Sequence, residues 1–206
     1  MSSRLALHVE HDYEIALALV LEALDGVGTP YDPPFSAHGL DLVRAARASG
    51  RGTLIVGVHQ YLGLVLPRLL EDEGIGAQYI LGTDRFRIPG TRRFIAPLQP
   101  GPSMLLRARS ALEEAETVWA LIDRRRPERR TVSIGGPHGE IHLSTALVSI
   151  AAACSASIIL MLTHLDDSGR ISARFCPVED VRANSTVNSA MAALADTLVA
   201  GLAALA

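Results

Sequence analysis

The chain has 206 residues, enough for one domain with a substantial core. Hydrophobic residues make up 49% and charged residues 20%, a globular composition that excludes a disordered chain. The net charge of -3 argues against bulk nucleic-acid binding, and all 19 basic residues are arginine, which excludes lysine Schiff-base chemistry and a P-loop lysine.

Residues Tyr13 to Leu24 repeat apolar positions at helical spacing and stop at Gly26 and Gly28. The apolar core of that segment, Ile15 to Leu24, is flanked by Glu14 and Asp25 and interrupted by Glu22. It is too short for a bilayer span, which needs about 20 residues. No signal peptide and no transmembrane segment are expected. A Pro-rich loop runs from Pro30 to Phe35, placed to wrap the surface or cover a site, and residues 1–35 are read as a small appendage of one α/β unit over 36–206.

Ser36 is expected to cap a helix from His38 to Ala48. Gly50 and Gly52 then turn the chain into a buried strand, Gly52 to Val58, that runs straight into His59. A helix from Tyr61 to Glu73, a strand from Ala77 to Leu81, and a polar connection from Thr83 to Gly90 follow. A short strand is expected at Arg93 to Pro97, a helix at Pro102 to Ala115, and a strand from Thr117 to Ile122 ending at Asp123.

Arg124 to Arg130 reads as a charged loop, and Thr131–Ile134 with Glu140–Leu143 as a hairpin around Gly135-Gly136-Pro137. The remainder reads as an apolar helix (Ser144 to Ala153), a buried strand (Ser157 to Leu162), a turn at Asp167-Ser-Gly169 into Arg170–Phe175, and a final helix from Glu179 to Leu205. Strands alternate with helices, so the fold class is α/β: a single domain with a mixed, mostly parallel sheet flanked by helices.

A buried parallel strand usually ends at the ligand-facing edge of its sheet, so His59 is a candidate general base or a strand-end histidine bonded to backbone. Asp123 is either a second group at that edge or a cap. Arg124, Arg125 and Arg126 bind phosphate bidentately or belong to a solvated loop. Arg85, Arg87, Arg92 and Arg93 hold a carrier's phosphate or are surface charge. His138 and His142 are four apart, but the Gly and Pro residues of Gly-Gly-Pro-His-Gly-Glu-Ile-His favour a turn over a metal pair. His164 and Asp166 stand at a strand end, another weak metal or catalytic signal.

Ser36, His38 and Asp41 are triad residue types, but they precede a helix and lack a Gly-x-Ser-x-Gly elbow. Cys154 and Cys176 show no metal spacing and point to a reducing, cytoplasmic setting; Cys154 reads as a packing residue. Val187, Met191, Leu194 and Leu198 form an apolar helix face for a partner subunit or for the chain's own core.

The run from His38 through Gly50-Arg51-Gly52 and the apolar strand to His59 resembles the lysophospholipid acyltransferase superfamily. It is closest to the bacterial lipid A lauroyl acyltransferase branch. The order of segments from Leu105 to Asp123 and from Gly136 to Leu162 is similar as well. The likeness covers about residues 36 to 200 and is one of pattern order, most specific around His59.

The resemblance implies a histidine that deprotonates an acceptor for attack on an acyl thioester. It also implies an Asp or Glu, four residues intervening, that orients the imidazole. His59 matches the base; Leu64 stands where the acid is expected, and Gln60 and Tyr61 replace the usual neighbours. The implied donor is a thioester of coenzyme A or an acyl carrier protein, with no cofactor. Gln60, Tyr61, Arg85, Arg87, Arg92 and Arg124 are then expected to bind substrate, and grooves beside the Leu62–Leu66 segment to take its apolar part.

That branch begins with a membrane helix and ends in an aromatic, arginine-rich segment. Neither is found here, which favours a soluble enzyme on a small or carrier-tethered substrate. Leu64 leaves two further readings open: another reaction on a carrier-bound substrate (cyclisation, elimination or hydrolysis), and a non-catalytic subunit.

Overall fold

Three apolar runs, each bounded by glycine or polar residues, lie side by side at the centre of a twisted sheet. The computed structural model describes residues 35–58, 66–81, 83–88, 93–124, 131–136, 139–165, 171–178 and 186–204. In chain order its strands are β1 (Phe35–His38), β2 (Thr53–Gly57), β3 (Gln78–Ile80), β4 (Phe86–Arg87), β5 (Phe94–Ile95) and β6 (Thr117–Leu121). They continue with β7 (Asp123–Arg124), β8 (Thr131–Gly136), β9 (Gly139–Ser144), β10 (Ser157–Leu165) and β11 (Ile171–Pro177). The helices are α1 (Leu40–Ala48), α2 (Leu66–Asp72), α3 (Pro102–Glu113), α4 (Ala146–Ala153) and α5 (Val187–Ala203).

The main sheet has six strands in the order β1-β11-β10-β2-β6-β3. β3, β6, β2 and β10 are mutually parallel. β11 runs antiparallel to β10, and β1 runs parallel to β11. The mixed, mostly parallel α/β sheet expected from the sequence is therefore the observed one. The hairpin β8/β9 pairs with β7 in a separate three-stranded sheet, and β4 pairs with β5.

Alternation along the strands sends side chains into two cores. Leu54, Val56, Val118, Leu160 and Leu162 pack against α3, α4 and α5. Ile55, Trp119, Ile159, Met161 and Phe175 pack against α1 and α2. Burial on both faces explains why β2 and β10 read as continuous apolar runs and not as alternating ones.

Three expectations are corrected. Ser36 does not cap a helix: Phe35 to His38 form strand β1, paired with Ile171 to Arg174, and Phe35 belongs to the sheet. The helix cap is Gly39, in the left-handed region at φ 79°, where a Cβ would sit 2.4 Å from the Phe175 carbonyl oxygen. Only glycine satisfies that conformation and that approach together.

The connection after Thr83 contains a short strand, β4, that folds onto β5. The final helix spans Val187–Ala203, capped by Thr186, whose hydroxyl accepts from Ser189 N–H at 3.2 Å. Of the two readings of that helix's apolar face, the chain's own core is the observed one: Met191, Leu194 and Leu198 are buried and Val187 packs against the same core. The Pro30–Phe35 loop is outside the described residues up to residue 34. Among the described residues, no helix is long and apolar enough to cross a membrane.

Candidate functional site

Parallel strands give a sheet two unlike ends, and ligands of open α/β sheets bind beyond the carboxyl one. At that end β2 gives way to Val58, which is buried, and His59 is the next residue in the chain. β6 keeps pace with β2 for one residue more, because Ile122 N–H donates to Gly57 O at 3.0 Å. The Ile122 carbonyl then accepts from Ser144 N–H at 2.7 Å, and the chain switches sheets. Asp123 consequently stands at the first position of β7, two residues past β6. It is half-buried, and it is paired with the fully buried Leu143.

His59, Gln60, Tyr61 and Arg92 lie outside the described residues, as do Leu64, His138 and Asp166. For Arg87 and Arg124 the structure describes the backbone: Arg87 pairs with Phe94 and Arg124 with His142. The arginine group between β3 and α3 is divided among different tasks. Arg85 lies 3.8 Å from the centre of the Phe94 ring, an exposed cation–π contact worth about 0.5–1 kcal/mol. Arg93 is ion-paired with Glu71 of α2.

The other half of the carboxyl end is built by β10, β11 and β1. His164 is registered opposite Ser172, and Ser172 opposite Ser36. One step inward, Leu162 is opposite Arg174, and Arg174 opposite His38. Residues paired in this way share a face, with Cβ atoms about 4.5–5.5 Å apart. Leu160, Leu162 and Cys176 fix that face as the one covered by α3 to α5, since Ala173 and Phe175 belong to the opposite core.

Ser172 is buried, Ser36, His164 and Arg174 are half-buried, and His38 is exposed. The Nδ1 of His164 is buried without a hydrogen-bond partner, an omission that costs about 1–3 kcal/mol unless a ligand supplies the bond. The ion pairs among the described residues do not include Arg174.

Sequence reasoning singled out Ser36, His38 and His164 in separate, weak settings and passed over Ser172 and Arg174. The missed signal is the alternation Ser172-x-Arg174 in β11, two polar residues on a face that β10 fills with Leu160 and Leu162.

A second imidazole has a different setting. His142 Nδ1 is 2.7 Å from Ser133 Oγ across the β8/β9 hairpin, and its Nε2 is 3.9 Å from Glu140. These are triad residue types, but Ser133 and Glu140 are exposed. The pair fastens the hairpin and lacks the enclosed donors that would stabilise an oxyanion. His142 sits on strand β9, and His138, its expected neighbour in a metal pair, lies outside the described residues. Among the described residues no cluster of three or more His, Cys, Asp or Glu could hold a metal.

The surroundings of both cysteines favour the protonated thiol. Burial pushes the Cys154 thiol up, and burial also raises Cys176, partly offset by the charge of Arg174; neither favours the reactive thiolate.

Two cavities lie at the amino end of the sheet. One of about 430 Å³ is bounded by α1, Arg51, Ser157 and Pro177. In its wall Ser49 Oγ donates to Ala46 O at 2.6 Å and Arg51 Nε donates to Ser49 Oγ at 3.4 Å. The other, about 210 Å³, is bounded by Gln78, Arg107, Ser110 and Glu116. No known family model matches the chain, and no curated protein matches it either.

Proposed function

We propose that the chain is an acyl-transfer enzyme that uses a thioester of coenzyme A or an acyl carrier protein, with His59 as general base. The observation that supports this reading is the position of β2. It is an inner strand with parallel neighbours on both sides, buried along its whole length, and its carboxyl end leads directly into His59. In the proposed reaction the imidazole takes the proton of the acceptor's hydroxyl or amine as that atom attacks the thioester carbonyl. The carbon–sulfur bond breaks, and the leaving thiolate receives the proton back from the imidazolium.

Leu64 removes the usual orienting carboxylate. In serine proteases, losing that acid's charge lowers turnover by about 10⁴, roughly 5.5 kcal/mol of barrier. Asp123 is the proposed substitute, because its segment leaves β6 beside the exit of β2. An amine acceptor would lessen the demand on the base further. The subunit reading is the weaker one, since the helix face on which it rested is buried in the chain's own core.

The deciding experiment is thioester consumption by purified His59→Ala, expected to fall by about 10²–10⁴. Unchanged consumption would remove His59 as the base. Consumption lost together with a product that is not an acylated acceptor in the parent enzyme would shift the reading to another reaction on the carrier-bound substrate. Leu64→Glu is expected to raise acyl transfer if the missing acid is a real defect.

A further inference from the structure

We propose that Arg174, His164, Ser172 and Ser36 form a subsite for a phosphate group at the carboxyl end of the sheet. Three segments remote in sequence, 36–38, 164 and 172–174, are brought into two adjacent rows by the register of β1, β11 and β10. The rows contain a guanidinium, two hydroxyls and an imidazole nitrogen with no partner, and no carboxylate. Every one of those groups can donate a hydrogen bond.

The setting makes a purely structural role expensive. On the same face Leu162, in the row of Arg174, and Leu160 before it are fully buried. A half-buried cation there needs a counter-charge, and the described ion pairs supply none. Among the described residues, a partial counter-charge is available at the end of α5. Gly201 brings that helix onto Leu162, where an added Cβ would lie 2.4 Å from Leu162 Cδ1, and the helix ends at Ala203. Its terminal carbonyls carry about half a negative charge, less than the full charge of Arg174.

Donor number selects the ligand. A carboxylate has two oxygens, and one guanidinium fork engages both. A phosphate offers further acceptors to the two hydroxyls and the imidazole as well. The phosphate can come from the arm of an acyl carrier or from a small phosphorylated acceptor. Only the first source rests on the acyl-transfer reading; the subsite itself does not.

The test is a calorimetric titration of the full chain with inorganic phosphate, with acetate as control. Saturable phosphate binding is expected, with acetate at least about tenfold weaker. Arg174→Gln should weaken phosphate about tenfold or more, as loss of a charge-assisted pair does. Ser36→Ala and Ser172→Ala should each weaken it by a smaller factor, and they carry the test should Arg174→Gln fail to fold.

Competition by phosphopantetheine assigns the carrier as the source; competition by glycerol phosphate alone assigns a small acceptor. Absence of saturable phosphate binding overturns the proposal. So does an Arg174→Gln variant that loses stability but keeps phosphate affinity, which would make Arg174 only the counter-charge of α5. His59→Ala should keep phosphate affinity while losing transfer, so the failure of one reading is distinguishable from the failure of the other.

Discussion

The two ends of the central sheet carry similar-looking rows of polar side chains and treat them in opposite ways. At the amino end Ser157, Thr53 and Thr117 are in register across β10, β2 and β6. Thr53 and Thr117 are 0% and 1% exposed, and both hydroxyls lack partners. Backbone closes over them: Thr53 N–H donates to Glu116 O at 3.0 Å and Ser157 N–H to Gly52 O at 2.8 Å. At the carboxyl end the row Ser36, Ser172 and His164 lies beside Arg174, a full charge, and the strands run on into Asp123 and His59.

A neutral hydroxyl can be sealed into a core for a cost of about 1–3 kcal/mol. An uncompensated charge costs far more. The amino end is therefore a packing solution, and the carboxyl end is where the proposed phosphate would act.

The sealing of the amino end has a sharp point of failure at Gly52. A Cβ there would stand 2.2 Å from the Leu112 carbonyl oxygen and 2.7 Å from its Cα, both backbone atoms of α3. Neither can swing aside as a side chain can. Gly52→Ala should therefore destabilise the fold by about 3 kcal/mol, at the upper end of overpacking costs, measured as a lower denaturant midpoint at unchanged slope. A loss below about 1 kcal/mol would mean that the turn between α1 and β2 is pliable and the amino end less rigidly closed than the contacts require.

Gly201 gives the corresponding test beside the carboxyl rows. Its added Cβ would meet Leu162 Cδ1, the far end of a side chain, at 2.4 Å, with the next atom at 3.8 Å. Leu162 is fully buried, so it yields only by disturbing its neighbours. Overpacking of about 1–3 kcal/mol is offset by the roughly 1 kcal/mol that alanine gains over glycine in a helix. A net loss of about 1 kcal/mol is expected for Gly201→Ala by thermal or chemical unfolding. A stabilised variant would show that α5 has slack over the carboxyl rows.

The same contrast explains how much of the molecule could be read from its sequence. β2, β6 and β10 were legible because strands buried on both faces must be continuous apolar runs. The hairpin at Gly135-Gly136-Pro137 was legible because turn chemistry marks it. β1 was not: Phe-Ser-Ala-His is a short edge strand with no apolar run, and its pairing with β11 is a tertiary event that no local pattern reports. Ser36 therefore resembled a helix cap.

Asp123 was legible as a strand-end residue, but not the change of sheet, which depends on Ile122 bonding both Gly57 and Ser144. The carboxyl rows were the least legible part. Ser36, His164, Ser172 and Arg174 are ordinary singly, and only the register of three strands makes them neighbours.

Thr117→Val provides the smallest and most discriminating comparison between the ends. Valine keeps the shape of threonine and removes a hydroxyl that is buried without a partner. Removing an unsatisfied group of this kind should stabilise the fold by about 1 kcal/mol and leave any activity at the carboxyl end unchanged. Thr53→Val should behave in the same way.

Since the two threonines are direct cross-strand neighbours, the double variant reports how they are coupled. Independent gains that add would confirm two separately sealed hydroxyls. Were the two joined through a buried water, each single variant would strand the other hydroxyl and lose stability, and the double variant would recover it. That outcome would make the amino end a wet, hydrogen-bonded row, and the distinction between the two ends would then rest on charge alone.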